Sequence, residues 1–321
     1  MQRFFVAAAA GILASAATPA LAQGFPTRPL VMVVPFAAGG PTDTLARIMA
    51  ERMGRALKQT MVVENTVGAA GTIGVGRVAR ANPDGYTLLV APTSTLTVNP
   101  AVYAKLGYDP QKDFVPVTQL SSYQLYLTVN AGQPIKTVAE LVAHAKAHPE
   151  KANLGSPSTV FELITAMFAA RAGIKFETIP FKSTAETMTA LLTDQVMIAF
   201  QDYNSLAQQL KAGKVRLLAT TGTRRSTDLP DVPTFAEAGY PGIELEPLTG
   251  IVAPKATPTA IVTKLQTEIR AILATPDVAE RFRTISMTPI GNTSQEFSAL
   301  IDREIKRWTE VAKAANIKLE Q

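Results

Sequence analysis

The residues best suited to chemistry lie in one stretch, Pro35-Phe36-Ala37-Ala38-Gly39-Gly40-Pro41-Thr42-Asp43, followed by Thr44. It succeeds a short apolar run, Leu30-Val31-Met32-Val33-Val34, and leads into a helical pattern. Gly39 and Gly40 permit positive φ and let a ligand come close to the backbone. A helix starting near Thr42 or Asp43 leaves its first N–H groups without partners and presents a positive dipole end. That combination suits capture of a carboxylate by backbone amides. Thr42, Asp43 and Thr44 are also natural capping residues, so a Gly-rich turn into a capped helix is the plainer alternative. No Gly-Lys-Ser/Thr follows, so this is not a Walker phosphate loop.

A second stretch of the same kind, Gly155-Ser156-Pro157-Ser158-Thr159, also precedes a helical pattern. Its hydroxyls and helix-start amides could meet a ligand from the opposite side, or could simply cap the helix. Gly74-Val75-Gly76-Arg77-Val78-Ala79 fits a dinucleotide fingerprint in spelling but lacks a preceding strand and the acidic partner. A helix packed closely through small residues is the better reading. His144 and His148 are the only histidines, and His-Ala-Lys-Ala-His lacks the glutamate of a metalloprotease site. They read as a solvated helix end stopped by Pro149. Cysteine is absent, which removes thiolate nucleophiles, disulfides, Cys-based metal sites and a lipid-attachment cysteine. With no Gly-x-Ser-x-Gly elbow either, the residues argue against hydrolysis, and no catalytic residue, metal or cofactor is assigned.

The elements that must position these loops are short β-branched runs alternating with helical patterns, the signature of βαβ units. Leu30–Val34 reads as a strand buried on both faces. Leu45, Ile48, Met49, Met53 and Leu57 share one face of the following helix. Thr87–Val90 is another buried strand, introduced by the turn Asn82-Pro83-Asp84-Gly85. Two β-rich pieces, Val115–Thr118 and Leu125–Val129, then follow one another directly, which suggests the chain crossing into a second domain. That domain has its own alternation: helices over Val138–Ala147, Phe161–Ala172 and Ala185–Leu192, strands over Phe176–Pro180 and Val196–Phe200. Glu244–Ala253 reads as the return crossing. Helices over Thr259–Ala274 and Ser294–Ala315 would pack back on the first domain, and Trp308 reads as a core residue. The expected division is therefore 23–122 and 246–321 for domain I and 123–245 for domain II, with a hinge and a cleft between them.

The chain has 321 residues, 47% hydrophobic and 18% charged, with formal charge +5. This suits a compact protein and argues against disorder. The basic residues are scattered, and nothing resembles a polybasic tract for nucleic acid. Arg3, the apolar run Phe4–Ala17 and Ala20-Leu21-Ala22 form a secretion signal cleaved after Ala22, so the expected compartment is the periplasm.

Several blocks in fixed order also resemble one family. Pro35–Asp43, Pro83-Asp84-Gly85-Tyr86-Thr87-Leu88-Leu89, Asn99-Pro100, Tyr108-Asp109-Pro110, Lys112-Asp113-Phe114, Leu229-Pro230-Asp231-Val232-Pro233-Thr234 and Glu237-Ala238-Gly239 are similar to the substrate-binding receptors of tripartite tricarboxylate transporters, the Bug receptors. The resemblance implies an α/β, two-domain type II periplasmic binding protein fold without catalysis. It also implies a small organic carboxylate as ligand, delivered by a monomer to the membrane permease subunits. A ligand carboxylate would meet Phe36, Ala38, Gly39, Gly40, Thr42, Asp43 and Thr44. Loops with Ser156, Ser158 and Thr159, with Phe181, Lys182 and Ser183, and with Gln201 and Asp202 would close over it. The chain departs from the family in that second half. A block usually like GSxGxGSxxHL is shortened to Leu154–Leu163, with Glu162 near the place of the histidine. Phe181-Lys182-Ser183 replaces Tyr-Lys-Gly, and Gln201-Asp202 replaces Asp-Asn. Two rivals remain open at this point: a sensor presenting ligand to a signalling partner, and an enzyme on the same scaffold.

Overall fold

Eleven strands fall into two separate sheets in the computed structural model, which describes residues 24–318. The expected secretion signal and cleavage after Ala22 lie outside the described residues. The first sheet runs in the order β2 (Met61–Asn65), β1 (Leu30–Val34), β3 (Thr87–Pro92), β10 (Leu248–Pro254), β4 (Phe114–Ser122), β11 (Thr288–Pro289), β2 at one edge and β11 at the other. β1 pairs in parallel with β2 and β3, whereas β10 runs antiparallel between β3 and β4. The second sheet has the order β7 (Glu177–Pro180), β6 (Asn153–Ser156), β8 (Ile198–Asp202), β5 (Leu125–Asn130), β9 (Val215–Thr220). β6 is parallel to β7 and β8, and β5 is antiparallel to β8 and β9. Each sheet is mixed because each takes in strands that carry the chain to or from the other sheet.

β4 ends in the first sheet at Ser122 and β5 begins in the second at Leu125, so only Tyr123 and Gln124 bridge them. The return runs from Thr220, through 221–247, to Leu248. At both crossings the joining residues sit at the carboxyl ends of β1, β3, β6 and β8, where open α/β sheets place ligands. β4 is longer than its β-branched spelling suggests, since Gln119, Ser121 and Ser122 are buried within it.

Helices cover both faces of each sheet. Leu45, Met49, Met53 and Leu57, on the helix Pro41–Leu57, are buried against Met32, Val34, Leu88 and the helix Thr259–Leu273. Gly74 and Gly76 lie inside the helix Thr72–Ala79, not in a strand–helix turn. A Cβ at Gly74 would come within 2.7 Å of the Thr66 carbonyl and 3.0 Å of Pro35 Cα, so the small residue serves close packing. A strand, β2, does precede this helix, contrary to the sequence reading, but Gly74 is packed against the backbone that follows β1 and β2 and leaves no room there for a ligand. The C-terminal helix Ser294–Ala314 departs more from expectation. Phe297 and Ile301 pack on the first sheet, while Trp308 and Ala312 join Val98 and Val102 in the cluster built on the second sheet. One helix thus ties both units together.

Candidate functional site

β1 delivers the chain into the loop Pro35–Gly40, and the following helix starts one or two residues earlier than its polar residues suggest. Pro41 occupies the first helical turn, where its missing N–H costs nothing. Gly40 is the N-cap, in extended conformation (φ −75°, ψ 169°), and no side chain caps the helix. Of the two glycines only Gly39 needs positive φ (83°). Thr44 N–H bonds the Gly40 carbonyl, so Thr42, Asp43 and Thr44 do not act as caps.

Asp43 does something different. It is 2% exposed. Its carboxylate accepts from Gly39 N–H at 2.9 Å, Arg47 Nε at 2.9 Å and Nη2 at 3.0 Å, and Asn65 Nδ2 at 2.9 Å. Asn65 also donates to the Phe36 carbonyl at 3.0 Å. Burial alone would raise the Asp43 carboxyl, but the bonds from Arg47, Gly39 and Asn65 outweigh it and hold its pKa below the ordinary aspartate value. The side chain fixes the loop from within, and only the Asp43 amide stays available to a ligand.

On the other unit, β6 ends at Ser156, whose hydroxyl turns back to the Ser158 carbonyl at 2.9 Å. Ser158 is the N-cap of the helix Thr159–Ala172, again with no side-chain cap bond. Its carbonyl takes the Phe161 N–H, which leaves the amides of Thr159 and Val160 unpartnered among the described residues. The two uncapped helix starts meet across a recess of about 130 Å³. Pro41 and Thr42 line it on one side, Ser158, Val160 and Phe161 on the other. Thr93 and Ser94, just after β3, form a wall, and Tyr123, Leu248 and Met287 close it at the crossings. No charged side chain lines this recess.

A family model described as "Tripartite tricarboxylate transporter family receptor" matches residues 45–317. The chain belongs to that family. Among relatives, a UPF0065 protein from the gbd 5' region of Cupriavidus necator is 36% identical over 96% of this chain and 94% of its own length. Protein BugT of Bordetella pertussis is 33% identical over 95% of each chain. Among solved structures, Rpa4515 of R. palustris with adipate superposes with a TM-score of 0.81 at 34% identity, covering 92% of this chain and 100% of that one. MatC of Rhodopseudomonas palustris with bound malate gives 0.76 at 33%, covering 89% and 99%. The fold is accordingly that of the two-domain periplasmic binding proteins, and the chain is a solute-binding receptor by family.

The remaining residues expected at the receptor's cleft are not on the wall of the recess. Phe36 is turned toward Gly71, where a Cβ would lie 3.2 Å from its ring. Phe181 donates its N–H to the Ser156 carbonyl at 2.8 Å, and its ring lies beside Gly155. Ser183 caps the helix Thr184–Leu192 by accepting the Glu186 N–H, while Lys182 is exposed and gives its N–H to the Glu186 carboxylate at 2.9 Å. Asp202 caps the helix Tyr203–Lys211 through the Ser205 N–H and hydroxyl. Ala38 and Gly39 are exposed at the loop tip, and Thr44 and Thr159 are half-buried within the first helical turns. Gln201 lies within β8 and is fully buried; its Nε2 reaches the Thr184 carbonyl at 3.4 Å and its Oε1 has no partner. Glu162, half-buried beside Ser156, has its carboxyl pushed up by burial. Thr93, Ser94, Tyr123 and Met287 were missed in the sequence. The rule that ligands gather at strand carboxyl ends, applied to β3, points to Thr93 and Ser94.

Proposed function

We propose that this receptor binds a small organic carboxylate that carries no ammonium, a di- or tricarboxylate or an aromatic acid, and delivers it to the membrane permease of a tripartite tricarboxylate transporter. It works in the periplasm as a monomer, after removal of the signal behind Ala22. Domain I comprises 23–122 and 246–321, and domain II 123–245. The observation that carries the reading is the recess between two uncapped helix starts, Gly40-Pro41-Thr42 and Ser158-Thr159-Val160. Amides and hydroxyls there offer donors and a positive dipole end from both sides. Adipate on Rpa4515 and malate on MatC support the carboxylate class.

The lining also explains the exclusion of an ammonium. A buried cation needs a counter-charge or several acceptors. The recess has no carboxylate, Asp43 is committed to Arg47 and Asp202 to Ser205. Calorimetric titration of succinate against aspartate, and glutarate against glutamate, tests this. The acid should bind at least tenfold more tightly than its α-amino analogue, about 1.4 kcal/mol. Tighter binding of either amino acid than of every simple acid refutes the reading. In a thermal-shift screen of carboxylates, the right ligand at 100 times its Kd should stabilise the protein by about 2.7 kcal/mol.

A further inference from the structure

We infer that the cleft continues into a second chamber that binds the far acid group of an elongated organic dianion; this rests on the carboxylate-receptor reading and narrows its ligand class. A recess of about 280 Å³ adjoins the first, and Tyr123 and Met287 line both. It too lies between the units: Tyr126, Tyr203 and 224–228 come from one, Ala279, Arg283 and 286–289 from the other.

The two chambers differ in charge. The first has no charged lining residue, whereas the second is lined by Arg224, Arg225 and Arg283 against one carboxylate, Asp228. Arg225 is held by Glu237 at 2.9 Å and by the Pro230 carbonyl at 3.0 Å. Arg283 pairs with Glu280 at 2.6 Å. The Arg224 guanidinium has no partner among the described residues, while its carbonyl accepts from Gln124 Nε2 at 3.0 Å. That bond anchors the Arg224 backbone at the crossing between the sheets and leaves its side chain to receive an anion. Guanidinium is always charged and pairs with a planar carboxylate through two parallel hydrogen bonds.

The tyrosines complete the site. Burial pushes the Tyr123 phenol well above its usual range, and the nearby Asp202 charge adds to this. Burial likewise raises Tyr126. Both phenols therefore stay neutral O–H donors with an apolar ring, suited to a spacer that ends in an acid. A monoacid or a short diacid fills only the neutral chamber. A longer diacid passes Tyr123 and Met287 and reaches Arg224.

Isothermal titration of wild type and Arg224→Gln with hexanoate, adipate, pimelate and terephthalate tests the inference. Wild type should prefer at least one of the three diacids to hexanoate by tenfold or more. Arg224→Gln should abolish that preference, leave hexanoate unchanged and keep the wild-type melting temperature, since the side chain is exposed. Arg224→Lys should restore part of the preference. Equal affinity of wild type and Arg224→Gln for all three diacids overturns the second chamber and leaves the receptor reading standing. Failure of every carboxylate to bind wild type overturns both.

Discussion

Replacing Asp43 by Asn isolates the charge that organises the first loop. The substitution keeps shape, but one of the two oxygens that accept from Arg47 becomes an NH2 that faces it donor to donor. The variant keeps one of the two neutral bonds, because its oxygen can serve Gly39 or Asn65 but not both with the present geometry. A lost neutral hydrogen bond costs about 1 kcal/mol net, and leaving the buried partner unsatisfied raises this to about 1–3 kcal/mol. Arg47 is half exposed and returns to water, so its lost pair adds little. A total of about 2 kcal/mol follows, a fall in Tm of roughly 3 °C for a protein of this size. The pH dependence gives an independent signature. The folded-state pKa of Asp43 lies below the unfolded value of about 3.9, so its stabilisation is fully present above that value and lost as pH falls through the folded pKa. The stability gap between wild type and Asp43→Asn should therefore be constant from pH 5 to 7, a range of about 2 units above the unfolded pKa, and close on acidification. Urea unfolding followed by Trp308, the sole tryptophan, measures it. A variant as stable as wild type at neutral pH, or a gap that widens in acid, refutes this account of the loop.

Gly39→Ala should cost about 1–2 kcal/mol, because its φ is positive. Gly40→Ala should fold normally, since its backbone is extended and a Cβ would meet only the Ala37 carbonyl, at 3.5 Å; melting curves of the two variants check both. Asn204 reaches across to the other unit, to the Ile285 carbonyl at 2.6 Å and the Ser286 hydroxyl at 3.0 Å. Asn204→Ala should leave the melting temperature unchanged and raise the ligand Kd by roughly fivefold, mainly through faster dissociation in stopped-flow displacement. Protein recovered from the periplasm should have the mass of a chain beginning at Gln23, and a bulky residue at Ala22 should block processing.

The parts of the fold legible in the sequence are those set by local physics. Leu30–Val34 is continuous in apolar residues because neighbours cover both faces of β1, and the helix after it keeps one buried stripe. The crossing near 123 shows because two strand-like runs meet with no helix between them. Local reading falls short where distant partners decide. Thr42 and Asp43 look like caps, yet Pro41 starts the helix and Asn65, 22 positions away, claims the Asp43 carboxylate. Gln201-Asp202 looks like the loop after a strand ending at Phe200. In the structure β5 extends the ladder, Leu125 pairing Asp202 and Tyr126 pairing Gln201, so a glutamine is buried inside a strand. Ser183 and Asp202 carry cleft-like chemistry, but the next helix in each case uses their oxygens first. The recess itself draws on Thr42, Thr93, Tyr123, Ser158 and Met287, residues no local pattern links.

Asp43 and Arg47 have to be taken as one unit, and so taken they account for a neutral recess that can still hold an anion. A carboxylate in the first turn of a helix ordinarily competes for the dipole that a bound acid would use. Here the Asp43 charge is matched by Arg47 at 2.9 Å, and its second oxygen is spent on Asn65 and Arg47. The pair is neutral as a unit, while the bond to Gly39 keeps the loop shaped around the free amides of Thr42 and Asp43. On the function proposed above, an incoming carboxylate would meet dipoles that are already oriented, and its desolvation would be offset by hydrogen bonds rather than by a full opposing charge. A lysine or arginine in the same place would hold the ligand more strongly but would also hold inorganic anions. Fixed amides and hydroxyls reward a planar acid of the right length, which is the discrimination that a receptor feeding a permease requires.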